Sequence, residues 1–187
     1  IARLGKSRGK TSLTPPGVCI KNKKAEIYLG KKTAALLKTR LKKPGPKFAL
    51  EGFFNLVNDG DYIGVLSYLN PFDAAVERGL LELKKHIRNT KKSAVQMGYG
   101  PRYLHSTGQL HKGGPDNGVF LMLVHGAKKE IQIPDLKFGF GTLELSQAYG
   151  DMEALDAKGR RVALVYLKDA SPKTLKAALS LIIDAIK

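Results

Sequence analysis

Apolar residues follow two different spacings along the chain, and their alternation predicts an α/β fold. Short apolar runs, which are typical of buried strands, occupy residues 24–29, 62–69, 93–97, 119–124 and 161–167. Helical spacing predicts helices that begin near residues 31, 48, 70, 142 and 171. Strands that alternate with helices favour a mostly parallel sheet, so we expect about five strands with helices on both faces.

The same pattern divides the chain into a lead-in and one domain. Residues 1–23 are rich in Lys, Gly, Ser, Thr and Pro without a sustained period, which indicates a linker. Residues 24–187 carry the periodic segments, and a chain of this size buries roughly 70% of the surface that it exposes when unfolded. The first residue is Ile1 and not methionine, so we expect either a cleaved product or a fragment of a longer protein.

Charge is the most unusual property of the composition. There are 32 Lys and Arg against 16 Asp and Glu, and several lysines lie in short runs at residues 21–24, 31–32, 42–43 and 91–92. Such runs are usually a solvated surface, although a basic surface can also neutralise nucleic-acid phosphates. Aromatic residues make up only 7% of the chain and Trp is absent, which disfavours nucleic-acid recognition.

Cysteine content and hydropathy indicate the cellular compartment in which we expect the protein. Cys19 is the single cysteine, which excludes an intrachain disulfide and a multi-cysteine zinc site. No apolar run approaches the roughly 20 residues that span a bilayer, and the N-terminus lacks the apolar core of a signal peptide. We therefore expect a cytoplasmic protein that does not associate with membranes.

The densest group of hydrogen-bonding side chains, at residues 98–115 (GYGPRYLHSTGQLHKGGP), follows a predicted strand. Ligands bind near the carboxyl ends of parallel strands, so this is the expected site. His105 and His111 have no cysteine or adjacent carboxylate to complete a metal shell, and the position two before Ser106 is not the glycine of a nucleophile elbow. The glycines also lack the spacing of a nucleotide-binding loop, so we expect no metal and no cofactor.

Four stretches of the chain resemble one protein family. The central one is residues 99–115, with GDYI at 60–63 upstream, and FGTL at 140–143 and QAYGD at 147–151 downstream. Together they resemble the C-terminal part of the bacterial glucose-6-phosphate isomerases that are often fused to transaldolase. The resemblance runs from about residue 24 to residue 168.

This resemblance implies a sugar-isomerase-type α/β domain that interconverts glucose 6-phosphate and fructose 6-phosphate. The reaction would pass through an enediol by acid/base proton transfer, without metal or nucleotide. The implied partners are a sugar phosphate and an upstream domain of the same isomerase, while a transaldolase domain and self-association are left open. The family's catalytic glutamate and phosphate-binding hydroxyls come from earlier segments, so we expect the isolated chain to be inactive.

The resemblance also suggests the site residues. Lys112, in the string QLHKGG, corresponds to the family's C-terminal active-site lysine, and we expect His111 beside it in the catalytic group. The expected substrate-binding residues are Gln109, His105, Ser106 and Arg102. The surrounding glycines indicate a flexible loop, on which Lys112 would be exposed.

Two classes of function are compatible with the sequence. One is the isomerase segment, and the other is a basic module that binds nucleic acid or another polyanion without catalysis. A transaldolase catalytic piece is excluded, because five strands are too few for its eight-stranded barrel. If the isolated chain were active, its base would have to be sought among Glu51, Glu77, Glu82 and Glu144.

Overall fold

The structure is a computed structural model that describes residues 13–22, 25–38, 45–126 and 130–187. Within these ranges the strands are β1 (Val18–Lys21), β2 (Glu26–Leu29), β3 (Tyr62–Tyr68), β4 (Ala94–Tyr99), β5 (Gly118–His125) and β6 (Arg161–Leu167). The helices are α1 (Lys31–Lys38), α2 (Pro46–Phe54), α3 (Ala74–Lys91), α4 (Thr107–Gly113), α5 (Phe140–Ala157) and α6 (Pro172–Ile183). A short 3-10 helix (Arg102–His105) lies between β4 and α4.

The six strands form one sheet in the order β1-β2-β6-β5-β3-β4. The neighbours β3 and β4, β3 and β5, and β5 and β6 pair in parallel, while β2 is antiparallel to both β6 and β1. The predicted α/β class with a mostly parallel sheet is confirmed. The chain moves from β3 outward to β4 and then returns to β5, so the direction in which strands are added reverses between β3 and β5.

One strand lies where we expected an irregular lead-in. β1 pairs with β2, so that Ile20 lies opposite Ile27, and Val18–Lys21 therefore form a strand within the stretch that we expected to be a linker or lead-in. A four-residue edge strand is too short to show a period, and Gly17 and the prolines before it resemble a linker. Among the lysine runs, residues 23–24 and 42–43 lie outside the described residues, as does the first part of the predicted strand at 24–29.

Each face of the sheet is covered by a different set of helices. Buried residues of α1, α2, α3 and α6, such as Leu37, Phe53, Leu80 and Ile182, pack on one face. Tyr103 of the 3-10 helix and Tyr149 of α5 belong to the core on the other face. Within the described ranges, no helix is long and apolar enough to cross a membrane.

The glycine-rich segment is helical, contrary to our expectation of a flexible loop. It turns from β4 into the 3-10 helix and then into α4. Two of its glycines make room for aromatic rings: an added Cβ at Gly98 would lie 3.0 Å from the Tyr103 ring, and one at Gly100 would collide with the Tyr68 ring. At these two positions glycine allows close packing and does not indicate mobility.

A buried ion pair joins the amino ends of β3 and β6. The Arg161 guanidinium contacts the two carboxylate oxygens of Asp61 at 2.6 and 3.0 Å, and both side chains are less than a tenth exposed. Arg161 also donates to the carbonyl oxygens of Leu56 and Asp116. Asp61 accepts from the Asn58 amide at 2.7 Å, so it forms the predicted turn and also anchors β6.

We expect Asp61→Asn to destabilise the fold strongly, because it leaves the Arg161 charge buried without a counter-ion. Breaking a buried pair from one side costs about 3–5 kcal/mol. Urea unfolding followed by circular dichroism measures this loss. The control is Asp59→Asn in the same turn, which is exposed and should change stability by less than about 0.5 kcal/mol. Equal effects of the two variants would show that the ion pair contributes nothing.

Candidate functional site

A groove runs between the segment formed by the 3-10 helix and α4 on one side and α5 on the other. It has a volume of about 500 Å³. Its lining residues are Pro101, Arg102, Leu104, His105, Gln109, Lys112, Gln147, Gly150 and Asp151. Four of the six predicted site residues therefore lie along one groove, together with three residues of the QAYGD motif.

Helical spacing explains why these side chains meet. Arg102 and His105 are three residues apart in a 3-10 helix, which places them on the same side. Gln109 and Lys112 are three residues apart on α4, and Gln147 and Asp151 are four apart on α5, so each pair shares a helix face. The apolar residues of α5, including Ala148 and Met152, face the sheet and turn the Gln147–Asp151 side toward α4.

The centre of the groove wall is an ion pair between Lys112 and Asp151. The Lys112 Nζ lies 2.5 Å from Asp151 Oδ1. The Asp151 side chain is 2% exposed and that of Lys112 is 19% exposed. Lys112 is therefore half-buried and held in place, whereas we had expected an exposed lysine.

Two buried tyrosines complete the surroundings of this carboxylate. The Tyr103 hydroxyl donates to Asp151 Oδ2 at 2.6 Å and lies 3.4 Å from the Tyr68 hydroxyl. Burial, with the nearby Asp151 charge as a lesser cause, raises the pKa of Tyr68 well above its ordinary value, and the pKa of Tyr103 is raised mainly by burial as well. Both hydroxyls therefore stay protonated, and Tyr103 can donate to Asp151 at any ordinary pH.

His111 does not face the groove. Its side chain is only 2% exposed, its Nδ1 lies 2.8 Å from the Tyr62 hydroxyl, and its ring packs against Phe120 with centroids 4.8 Å apart. Burial lowers the pKa of His111 and the neighbouring Lys112 lowers it further, while Asp151 opposes the shift. A neutral, buried imidazole is a packing residue, so we leave His111 out of the proposed site.

Ser106 and Arg102 also differ from what the sequence suggested. Ser106 is exposed at the N-cap position of α4 and is not among the residues that line the groove. Arg102 lies at the groove, and its guanidinium carbon is 5.2 Å from the centre of the Phe72 ring, which is 84% exposed. This stacking holds a cation at the edge of the groove.

Sequence reasoning missed Asp151, Gln147 and Tyr103 as site residues. The signal was present for two of them, because Gln147 and Asp151 stand four apart in one of the motifs that carry the resemblance.

Glu144 is three residues before Gln147 on the same side of α5, and burial raises the pKa of its carboxyl despite the opposing effect of His125. Of the four glutamates that we considered as bases, Glu144 is the one on the groove helix.

The arrangement suits a polar ligand with many hydroxyl groups. Amide groups of Gln109 and Gln147 can both donate and accept, while Lys112 and Arg102 supply cations at two points of the groove. Across the described residues, no three His, Cys, Asp or Glu side chains form a group that could hold a metal ion.

Comparison with protein-family models gives no match, and comparison with curated proteins gives none. The crystal structure of a hypothetical protein from Thermus thermophilus is similar, with a TM-score of 0.62 and 16% sequence identity. The similarity covers 82% of this chain and 42% of the Thermus chain, so this chain spans less than half of that structure's length. At this identity the similarity shows that the two proteins share a fold.

The buried His111 should make stability depend on pH. The folded-state pKa of His111 lies below the unfolded value near 6.5. The stability that neutral His111 contributes is therefore complete above about pH 6.5 and is lost as the pH falls through the folded-state pKa. We expect His111→Gln to lose less unfolding free energy than the wild type between about pH 7.5 and pH 5.5, as measured by urea titration. His105→Gln, at an exposed position, should behave as the wild type does. An unchanged pH dependence in His111→Gln would show that His111 is not buried as a neutral group.

Proposed function

We propose that this chain is the C-terminal domain of a glucose-6-phosphate isomerase, of the bacterial type often fused to transaldolase. One observation carries the proposal. The stretches at 99–115 and 147–151 each resemble that family by sequence alone. In the structure they line the same groove, where Lys112 of one pairs with Asp151 of the other. The six-stranded, mostly parallel sheet is compatible with a sugar-isomerase-type domain.

The groove side chains have roles in this reaction. Isomerisation moves a proton between C1 and C2 of the open sugar, and negative charge develops on the oxygens of the enediolate. The Lys112 ammonium would stabilise that charge, and Gln109, Gln147 and His105 would bind hydroxyls. Asp151 keeps the ammonium in place through an ion pair that the Tyr103 hydroxyl supports.

The proposal places the remaining parts of the reaction centre upstream. As the resemblance implies, the general base is a glutamate of an earlier segment, and the phosphate-binding hydroxyls come from there as well. The cytoplasmic setting and the upstream partner domain belong to the same proposal.

A coupled assay tests the reaction itself. The complete gene product should convert fructose 6-phosphate to glucose 6-phosphate in the presence of a metal chelator, and the 187-residue chain should not. A missing acid/base group typically lowers the rate roughly 10² to 10⁴-fold. Equal turnover by the chain alone would place the base within it, with Glu144 as the first residue to substitute. Salt-sensitive binding of nucleic acid without isomerisation would favour the polyanion-binding alternative.

A second prediction separates the catalytic and structural roles of Lys112. In the complete protein, Lys112→Met should lower kcat by roughly 10² or more, the effect of removing one donor to a developing oxyanion. It should also destabilise the fold by at most about 3–5 kcal/mol, because the buried Asp151 loses its counter-ion. Enzyme kinetics and urea unfolding measure the two effects.

The double variant Lys112→Met with Asp151→Asn is the control. It removes both charges and leaves an amide that can still accept from Tyr103, so most of the stability should return while kcat stays low. Recovery of activity together with stability would mean that Lys112 only supports the fold, and the proposed site would be withdrawn.

A further inference from the structure

Arg160 holds the end of the helix that carries Lys112. This arginine immediately precedes β6, and its side chain is 7% exposed. Its Nη2 donates to the Lys112 carbonyl oxygen at 3.1 Å and to the Gly114 carbonyl oxygen at 2.5 Å. Its Nη1 lies 3.2 Å from Asp116 Oδ1. One planar group therefore binds two backbone carbonyls and one carboxylate.

These contacts matter because α4 is short. A helix of seven residues has little stability of its own, and its last carbonyls have no partner within the helix. A cation at the C-terminal end also interacts favourably with the helix dipole. The guanidinium supplies both the missing donors and the charge, and one of the two carbonyls belongs to Lys112 itself.

Asp116 keeps the guanidinium in place from the other side. Its second carboxylate oxygen pairs with the Lys32 ammonium at 2.8 Å, which joins α1 to the same cluster. Burial alone would raise the pKa of Asp116, but the hydrogen bonds and charges of Lys32 and Arg160 outweigh it and lower the pKa. Asp116 therefore stays ionised, and Arg160 keeps its anchor at neutral and mildly acidic pH.

We propose that Arg160 is a positioning residue for Lys112: by binding the Lys112 and Gly114 carbonyls, it places the Lys112 ammonium against Asp151 at the groove wall. Arg160 acts on the backbone end of the residue, while Asp151 acts on the side-chain end. The effect on catalysis rests on the proposed isomerase function. The effect on the position of the ammonium does not.

The chain provides a matched control at the next position. Arg161 has a similarly buried side chain, 8% exposed, and is likewise held by a carboxylate and by backbone carbonyls. Its partners are Asp61, Leu56 and Asp116, which lie outside α4. A general loss of stability at the amino end of β6 should affect Arg160 and Arg161 variants alike. A change in the position of Lys112 should occur only in Arg160 variants.

The experiment compares Arg160→Lys with Arg161→Lys in the complete protein. Lysine keeps the charge but lacks the planar fork that binds two carbonyls and a carboxylate together. Lysine amines are labelled by reductive ¹³C-methylation, and the Lys112 signal is the one missing from Lys112→Arg. In Arg160→Lys this signal should move toward the signals of exposed lysines, and in Arg161→Lys it should stay in place.

Kinetics provide the second readout. Displacing a catalytic group by about 1 Å can cost roughly 10²-fold, so Arg160→Lys should lower kcat roughly 10- to 100-fold with little change in KM. Arg161→Lys should keep kcat near that of the wild type even if it unfolds more easily. Should Arg160→Lys fail to fold, Asp116→Asn, at a half-exposed side chain, should produce the same shift of the Lys112 signal to a smaller extent.

The outcomes are distinguishable. An unmoved Lys112 signal in Arg160→Lys, or equal movement in Arg161→Lys, overturns the positioning role whatever the activity. A signal that moves only with Arg160, in a protein without isomerase activity, supports the positioning role and contradicts the proposed function. A signal that moves while kcat stays unchanged overturns the catalytic consequence.

Discussion

The buried carboxylate of Asp151 is the interaction on which the groove depends. A charge in the interior is costly unless opposite charge and hydrogen bonds compensate it. Here α5 supplies the carboxylate, α4 supplies the Lys112 ammonium, and the 3-10 helix supplies the Tyr103 hydroxyl. Because three elements meet at this carboxylate, moving any one of them would remove part of what compensates its charge. The shape of the groove and the position of its cation are therefore determined together.

The short helix α4 is held by contacts and not by its own propensity. Asp151 binds the Lys112 side chain, Arg160 binds the Lys112 and Gly114 carbonyls, and Tyr62 binds the His111 ring. Each contact comes from a different part of the fold: α5, the start of β6 and the start of β3. A sequence with two glycines in seven helical residues can form this turn because tertiary contacts outweigh the propensity cost.

Much of the fold could be predicted from the sequence, because long apolar runs such as β5 and β6 resist other interpretations. The strand β1 could not, since four mostly exposed residues show no period and become a strand only by pairing with β2. The glycine-rich segment was misread for a related reason. Glycine permits both mobility and close packing, and only the rings of Tyr68 and Tyr103 decide between the two.

For individual site residues, too, the sequence alone does not decide which side chain faces the groove. Lys112 and His111 are neighbours in the sequence, but consecutive helix positions differ by about 100°, so one side chain faces the groove and the other the core. We could not choose between them without knowing which face of α4 lies on the sheet. Asp151 belongs to a motif that the sequence shows, but it pairs with Lys112 only because α4 and α5 lie against each other. No local sequence pattern predicts that contact between the two helices.

The ion pair also defines how Lys112 can act in the proposed isomerase. With Asp151 as its partner, the ammonium adds no net charge to the resting groove, so it does not attract the substrate phosphate as a free lysine would. An ammonium has three N–H donors, and among the described residues its one ion-pair contact is with Asp151, which leaves the other donors for a sugar oxygen. The value of such a donor grows as negative charge develops on the enediolate, and interactions that strengthen in the transition state are the ones that raise kcat. In the proposed isomerase, pairing with Asp151 would thus suit Lys112 to the reacting oxygens more than to the phosphate.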